Sequence, residues 1–201
     1  MRMTVLDRIL LLLTGLLAAY EIAVGIDGLA TLPIVAYTVA FGVLLVAGLL
    51  LLILGFDVLD SPIVVVASTA IPLSLSLGLV WRLLPACRSA YLFFVLLGFV
   101  AVLLTRLLPI KNRLPVFALA VVHGVAGLTI ALLPLLWAFS GRSPLGFAMV
   151  GVGGALIGLG GLLLAFLKAG KPLLPRATIL KVLPGLLLLM TAAFVAGFRF
   201  A

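Results

Sequence analysis

A helix needs about 20 mostly apolar residues to cross the hydrocarbon of a bilayer. This chain of 201 residues offers seven such runs in succession: Ile9–Ile26, Leu32–Phe56, Ile63–Leu83, Ala90–Ile110, Pro115–Phe139, Leu145–Leu167 and Ala177–Phe198. Backbone amides that face lipid must be satisfied within their own segment, so each run is expected to be a helix. The breaks between them are short and carry turn chemistry: IDGLAT, DVLDSP, PACRS, KNRLP, SGRSP and KAGKPLLPR. The expected fold is therefore all-α, a polytopic membrane helix bundle of about seven transmembrane helices. No break leaves room for an aqueous domain, so residues 1–201 read as one integral membrane domain. Arg2 and Arg8 ahead of ILLLLTGLLAAY imitate a signal peptide, but the apolar run continues to Ile26 without an A-x-A cleavage site. It reads as a retained first helix.

Composition agrees. Hydrophobic residues make up 66% and charged residues 9%, against about a quarter charged in a soluble domain. The net charge of +8 could suggest nucleic acid, yet the basic residues sit at the ends of apolar runs, where they contact phospholipid and set topology. With the N-terminus in the cytoplasm, Arg2, Arg8, Arg106, Lys111, Arg113, Lys168, Lys171, Arg176 and Lys181 fall inside; Arg82, Arg88, Arg142 and Arg199 fall outside. That asymmetry predicts a plasma (inner) membrane protein, N-terminus cytoplasmic and C-terminus outside. The single Cys87 excludes an intrachain disulfide and a cysteine metal cluster.

An offset of 82 residues lays the second run over the fifth, LPIVAYTVAFGV from Leu32 on LPVFALAVVHGV from Leu114, with eleven identities in 31 positions. The offset suggests two units, 32–113 and 114–201, after a first span and loop over 1–31. Each unit holds three spans, an odd number, so the copies (spans 2–4 and 5–7) would form an inverted 3+3 repeat. Such repeats are common in carriers. Gly154, Gly158 and Gly161 mark one close-packing face on the sixth span. Ser68, Thr69, Pro72, Ser74 and Ser76 make the third span a kinked, hydrogen-bonded one.

Ionisable groups inside the apolar runs are the natural functional candidates. His123 lies about 12 Å into the fifth span, counted from Pro115, and is the only histidine. With Gly124, Ser74 and Ser76 it outlines a candidate quinone or ligand pocket; a neutral histidine bonded to a backbone carbonyl is the plain structural alternative. Glu21, about 8 Å below the end of its span, is a candidate proton or ion-pair site with Arg82, Arg88 or Arg142; the plainer reading has it reach out to water. Asp57 and Asp60 read as turn and cap residues, with Arg106, Lys111 or Arg113 as possible partners. Arg106, Lys111, Arg113, Lys168, Lys171 and Arg176 are expected to touch lipids or partner subunits.

No nucleophile–base set, HExxH, Walker sequence or metal cluster occurs, so no catalytic or metal residue is expected. The preferred reading is a non-catalytic subunit that anchors a larger respiratory or redox complex, with other subunits as partners, bound lipid, no covalent cofactor, and a quinone near His123. The alternative is a small transporter or channel for a neutral or apolar substrate, built on the inverted repeat. Substrate-dependent flux by the chain alone would separate the two.

Overall fold

The computed structural model describes residues 3–108, 110, 113–168 and 172–201, the side chain of Lys168 excepted. Lys111 and Lys171 lie outside the described residues. Seven α-helices follow one another: α1 (Val5–Val24), α2 (Thr31–Leu54), α3 (Pro62–Leu83), α4 (Arg88–Leu107), α5 (Leu114–Phe139), α6 (Ala148–Lys168) and α7 (Arg176–Phe198). Short 3-10 turns at Phe56–Asp60, Pro85–Cys87 and Leu145–Phe147 join them, and no strand occurs among the described residues.

Local chemistry sets the helix ends. Thr4 caps α1 reciprocally: Asp7 N–H donates to its hydroxyl at 3.2 Å, and Thr4 N–H donates to Asp7 Oδ2 at 2.8 Å. Gly25 and Gly55 close α1 and α2 with φ of 70° and 76°, values that suit glycine. Pro62 and Pro115 occupy first-turn positions of α3 and α5, where a missing N–H costs nothing. Pro72, Pro134 and Pro184 stand inside helices that remain continuous, and all three are buried.

Six helices, α2 to α7, are long and apolar enough to cross a membrane. The expected seventh, α1, is long enough at 20 residues but too charged, because every 18-residue stretch of it contains Asp7, Arg8 and Glu21. Its polar groups turn inward: Asp7, Thr14 and Glu21 are buried on the same stripe as Leu11 and Ala18. Six apolar helices are consistent with an integral membrane protein, and the many leucines, valines and phenylalanines exposed on α4, α5 and α6 suit a lipid solvent.

The packing is a ring. α1 lies on α2 and α7, α2 on α3, α3 on α5, α5 on α6 and α6 on α7, while α4 sits outside against α3 and α5. Exchanging α1-α2-α3 with α5-α6-α7 maps every neighbour pair of the ring onto another. This grouping, three helices plus one plus three, differs from the 32–113 and 114–201 division suggested by the 82-residue offset. α3 and α7 are the most enclosed spans, 61% and 56% buried against 33% or less for the others. Arg199 meets Glu21 at one end and Arg176 meets Asp60 at the other, so α7 runs parallel to both α1 and α3. We call the end holding Asp60, Arg106 and Arg176 the basic end and the end holding Glu21 and Arg199 the arginine–aromatic end.

The glycines of α6 pack differently from the expected stripe. A Cβ on Gly154 would come within 2.7 Å of the Ile130 and Ala131 backbone, and one on Gly151 within 2.6 Å of Ala131 O, so these two press α6 on α5. Gly153 faces Phe194 and Gly160 faces Leu186, both on α7. Gly158 and Gly161 meet nothing within 4 Å. A helix held between two neighbours needs small residues on two faces, which a single i, i+4, i+7 stripe does not capture.

Candidate functional site

At the arginine–aromatic end the bundle is closed by rings. Tyr37 and Phe198 lie tilted against each other with centroids 4.6 Å apart, Phe41 meets Phe198 edge-on at 6.2 Å, and Phe194 stacks on Phe198 at 6.5 Å. All are buried in one apolar cluster with Leu75, Leu79 and Phe147. The four arginines of this end each lie over a ring: Arg82 on Phe147, Arg88 on Trp81, Arg142 on Trp137 and Arg199 on Tyr20, at 5.0 to 5.5 Å. Their charges are thus spread over aromatic faces at the level where aromatic belts form.

Among the described residues the basic end holds a cavity of about 670 Å³, surrounded by α3, α4, α5, α6 and α7. Its walls are apolar, with Val65 on α3, Val116 on α5, Leu164 and Leu167 on α6, and Leu180 on α7. Its polar groups are Asp60, Thr105, Arg106 and Arg176. The Thr105 hydroxyl is already spent on the Ala101 and Val102 carbonyls, at 2.7 and 3.1 Å. Arg176, the first residue of α7, donates to Asp60 Oδ2 at 3.2 Å in an exposed ion pair, which contributes little to stability. Asp60 therefore meets a cation other than the Arg106, Lys111 and Arg113 expected of it. Arg106 closes the last turn of α4, where its charge opposes the helix dipole. Its Nε is buried and has no hydrogen-bond partner. An enclosed guanidinium nitrogen without a partner is costly, and it is the other N–H groups of Arg106 that can meet a ligand in the cavity the residue lines.

The groups singled out in the fifth and third spans are elsewhere. His123 is half-buried on α5, with Nδ1 3.1 Å from Leu119 O on its own helix. Gly124 is exposed and Ser74 half-buried. Ser76 is buried and its hydroxyl donates to Leu73 O at 3.0 Å. Neither the large cavity nor the small one described next is lined by these four residues. Ser76 does join a polar contact that the sequence reading missed: Tyr91 of α4 meets it and donates to Thr129 Oγ1 of α5 at 3.2 Å. That contact ties the outlying α4 to both of its neighbours.

Glu21 is 3% exposed rather than turned to water. Its cation is Arg199, the residue that caps the end of α7, with Nη2 3.7 Å from Oε2, and not Arg82, Arg88 or Arg142. Neither carboxylate oxygen has a hydrogen-bond partner, and the buried Tyr37 hydroxyl has none either. Glu21, Tyr37 and Thr38 line a void of about 20 Å³. Among the described residues no three His, Cys, Asp or Glu side chains group as a metal site. In comparisons with family models, curated proteins and solved structures, the chain matched none of them.

Proposed function

We propose that this chain is a small membrane carrier that takes an amphipathic, anionic-headed lipid into the cavity at its basic end. The observation that carries the reading is the cavity of about 670 Å³ whose apolar side chains are joined by the two cations Arg106 and Arg176. Ligand pockets commonly span about 300 to 1,000 Å³ and combine mostly apolar walls with a few placed polar groups. Leu164, Leu167 and Val116 would hold the acyl part, and Arg106, with Arg176 beside it, the phosphate. A guanidinium suits a phosphate because it donates through two N–H groups in one plane. This shifts the substrate from the neutral or apolar one expected from the sequence to an anionic amphipath.

The arrangement of the two ends supports a carrier. The Tyr37, Phe41, Phe194 and Phe198 rings fill one end while the described residues of the other enclose a cavity, an asymmetry that one state of an alternating-access cycle would have. The halves α1–α3 and α5–α7 meet chiefly where α1 lies on α7 and α3 on α5, with Tyr37 and Phe41 of α2 also on Phe198, so rocking one half against the other would move the opening between ends. The positive-inside bias puts the basic end in the cytoplasm, the N-terminus inside and the C-terminus outside. The offset match between Leu32–Pro62 and Leu114–Pro144 supports a duplicated origin for the two hairpins within this carrier. The reading as a subunit of a respiratory complex, with a quinone at His123, rests on composition alone.

Binding of phosphatidic acid to the purified full chain, followed by native mass spectrometry in mild detergent, tests the proposal. Phosphatidic acid should bind in preference to phosphatidylcholine. Arg106→Ala should weaken it about tenfold or more, the size of a lost charge-assisted hydrogen bond, and Arg106→Lys should weaken it less. Equal binding of both lipids by the native chain, or an Arg106→Ala variant that binds as the native chain does, would overturn the reading. A co-purifying quinone released by His123→Ala, with stable partner subunits, would support the complex subunit in its place.

A further inference from the structure

Glu21 is a carboxylate that the fold has enclosed without completing. Its side chain is 2% exposed, and Arg199, 39% exposed, approaches to 3.7 Å, beyond a direct hydrogen bond. Both carboxylate oxygens and the Tyr37 hydroxyl are buried without hydrogen-bond partners. Glu21, Tyr37 and Thr38 are the polar residues of an otherwise apolar void of about 20 Å³, the size of one water site. The charged and titratable groups around the carboxylate are few. Tyr20 on α1 stacks under Arg199, Tyr37 faces it from α2, Arg199 reaches it from the end of α7, and Arg82 of α3 lies within electrostatic reach of Tyr37. Asp27 is exposed in the loop beyond.

The position matters as much as the chemistry. Glu21 and Arg199 span the seam between α1 and α7, one of the places where the halves α1–α3 and α5–α7 meet, next to the contact of Tyr37 and Phe41 with Phe198. The other ion pair of the described chain, Asp60 with Arg176, is exposed at the opposite end. A buried charge whose partner sits across a seam holds that seam only while both are ionised. An arginine stays protonated throughout the accessible pH range, so only the carboxylate can switch the pair.

We propose that Glu21 is the protonation site that couples this carrier to a proton, and that proton uptake there unlatches α7 from α1 at the arginine–aromatic end. The ionised carboxylate holds Arg199 and keeps the end shut. A proton passes from external water, through the water site beside Tyr37, onto a Glu21 oxygen. The neutral acid then loses its attraction for Arg199, which keeps its own proton and turns its half-exposed guanidinium to solvent. The seam above Ala18 opens, and release of the proton reverses the step. This rests on the carrier reading for what the opening admits, though not for the latch itself.

The test reads the seam directly. Ala18 is 0% exposed and lies one turn below Glu21 on the same buried stripe, so a thiol there is reached only when the seam opens. Ala18→Cys is made with Cys87→Ser, the full chain is reconstituted in phosphatidylcholine vesicles, and a membrane-impermeant maleimide is added from the arginine–aromatic side. Rates are normalised to those of the exposed native Cys87 in the otherwise unchanged chain, which removes the pH dependence of the reagent. The normalised rate should rise about tenfold as pH falls, within the range of two coupled sites. Adding Glu21→Gln should make it fast at every pH, and Arg199→Lys should keep the pH response. Glu21→Asp, which retains the carboxylate should Glu21→Gln not fold, should respond with a moved midpoint. A flat rate in the otherwise native background, or a pH response that survives Glu21→Gln, overturns the latch. If phosphatidic acid fails to bind while the thiol response persists, the carrier reading fails and the latch stands.

Discussion

Glu21 and His123 each place an ionisable side chain inside an apolar helix, and the fold satisfies them differently, Glu21 by a cation from across the bundle and His123 by its own helix. An acid and a histidine inside apolar runs stand out by simple inspection, and Glu21 does occupy a position where its charge has to be managed. Its cation, however, comes from the last helix, almost the whole chain away, and proximity along the sequence offered three other arginines first. His123 shows the reverse: a conspicuous residue whose Nδ1 is already met by Leu119 O, a turn earlier on the same helix. Tyr37 carries no motif at all, and its importance comes from the Glu21 void and the Phe198 ring that surround it. The glycines give the sharpest test at this scale. Gly154→Ala should destabilise the protein by about 1 to 3 kcal/mol, because its new methyl would push into α5 backbone that cannot move aside. Gly158→Ala, four residues on, should be neutral or stabilising by up to about 1 kcal/mol, through higher helix propensity. Thermal unfolding in detergent measures both, and equal effects would mean that α6 does not approach α5 as described.

At the scale of elements, hydropathy finds each helix and misplaces some of its ends. The first run reads from Ile9, yet α1 starts at Val5, because the Thr4 and Asp7 capping box carries the helix through the charged Asp7 and Arg8 that interrupt the apolar run. Those caps were written in the sequence as Thr-x-x-Asp. The second run reads through Phe56, but Gly55 ends α2 and Phe56 begins a 3-10 turn whose ring is buried in the core. The role of α4 was not legible, since its composition resembles that of every other span. It packs on α3 and α5 alone, and the Tyr91 hydroxyl helps fasten it. Tyr91→Phe should therefore cost about 0.6 kcal/mol, and at most about 1.7, the range measured for hydrogen bonds between membrane helices. The loss should appear as earlier melting of α4 amides in hydrogen exchange, while exchange in α6 and α7 is unchanged. Uniform loss across all helices would show that α4 is not a separately attached element.

For the molecule as a whole, the two ends differ in how they handle positive charge. Every arginine at one end lies over an aromatic ring, whereas Arg106 at the other faces a cavity with its Nε unpaired. If the basic end is cytoplasmic, the exposed native Cys87, in the turn between α3 and α4, should react with a membrane-impermeant thiol reagent added to intact cells. Reaction only after the membrane is opened would invert the orientation and place the cavity outside. The ring of α1-α2-α3 and α5-α6-α7, with α4 apart, also belongs to this scale. Sequence self-similarity points to a different pairing of spans, because identity between α2 and α5 reports on ancestry or shared lipid exposure, while neighbour choice depends on which faces fit.

The linear sequence on its own determined that the chain is helical, that it reads as a membrane protein, and which end collects most of the cations. Those properties follow from transfer free energies and backbone hydrogen bonding, which act on each segment separately. Only the tertiary structure decided that Glu21 answers to Arg199, that α3 and α7 are the enclosed helices, and that a cavity lies beside Arg106. In lipid the hydrophobic effect does not distinguish one apolar helix face from another, so these choices fall to close packing and a few polar contacts between distant segments.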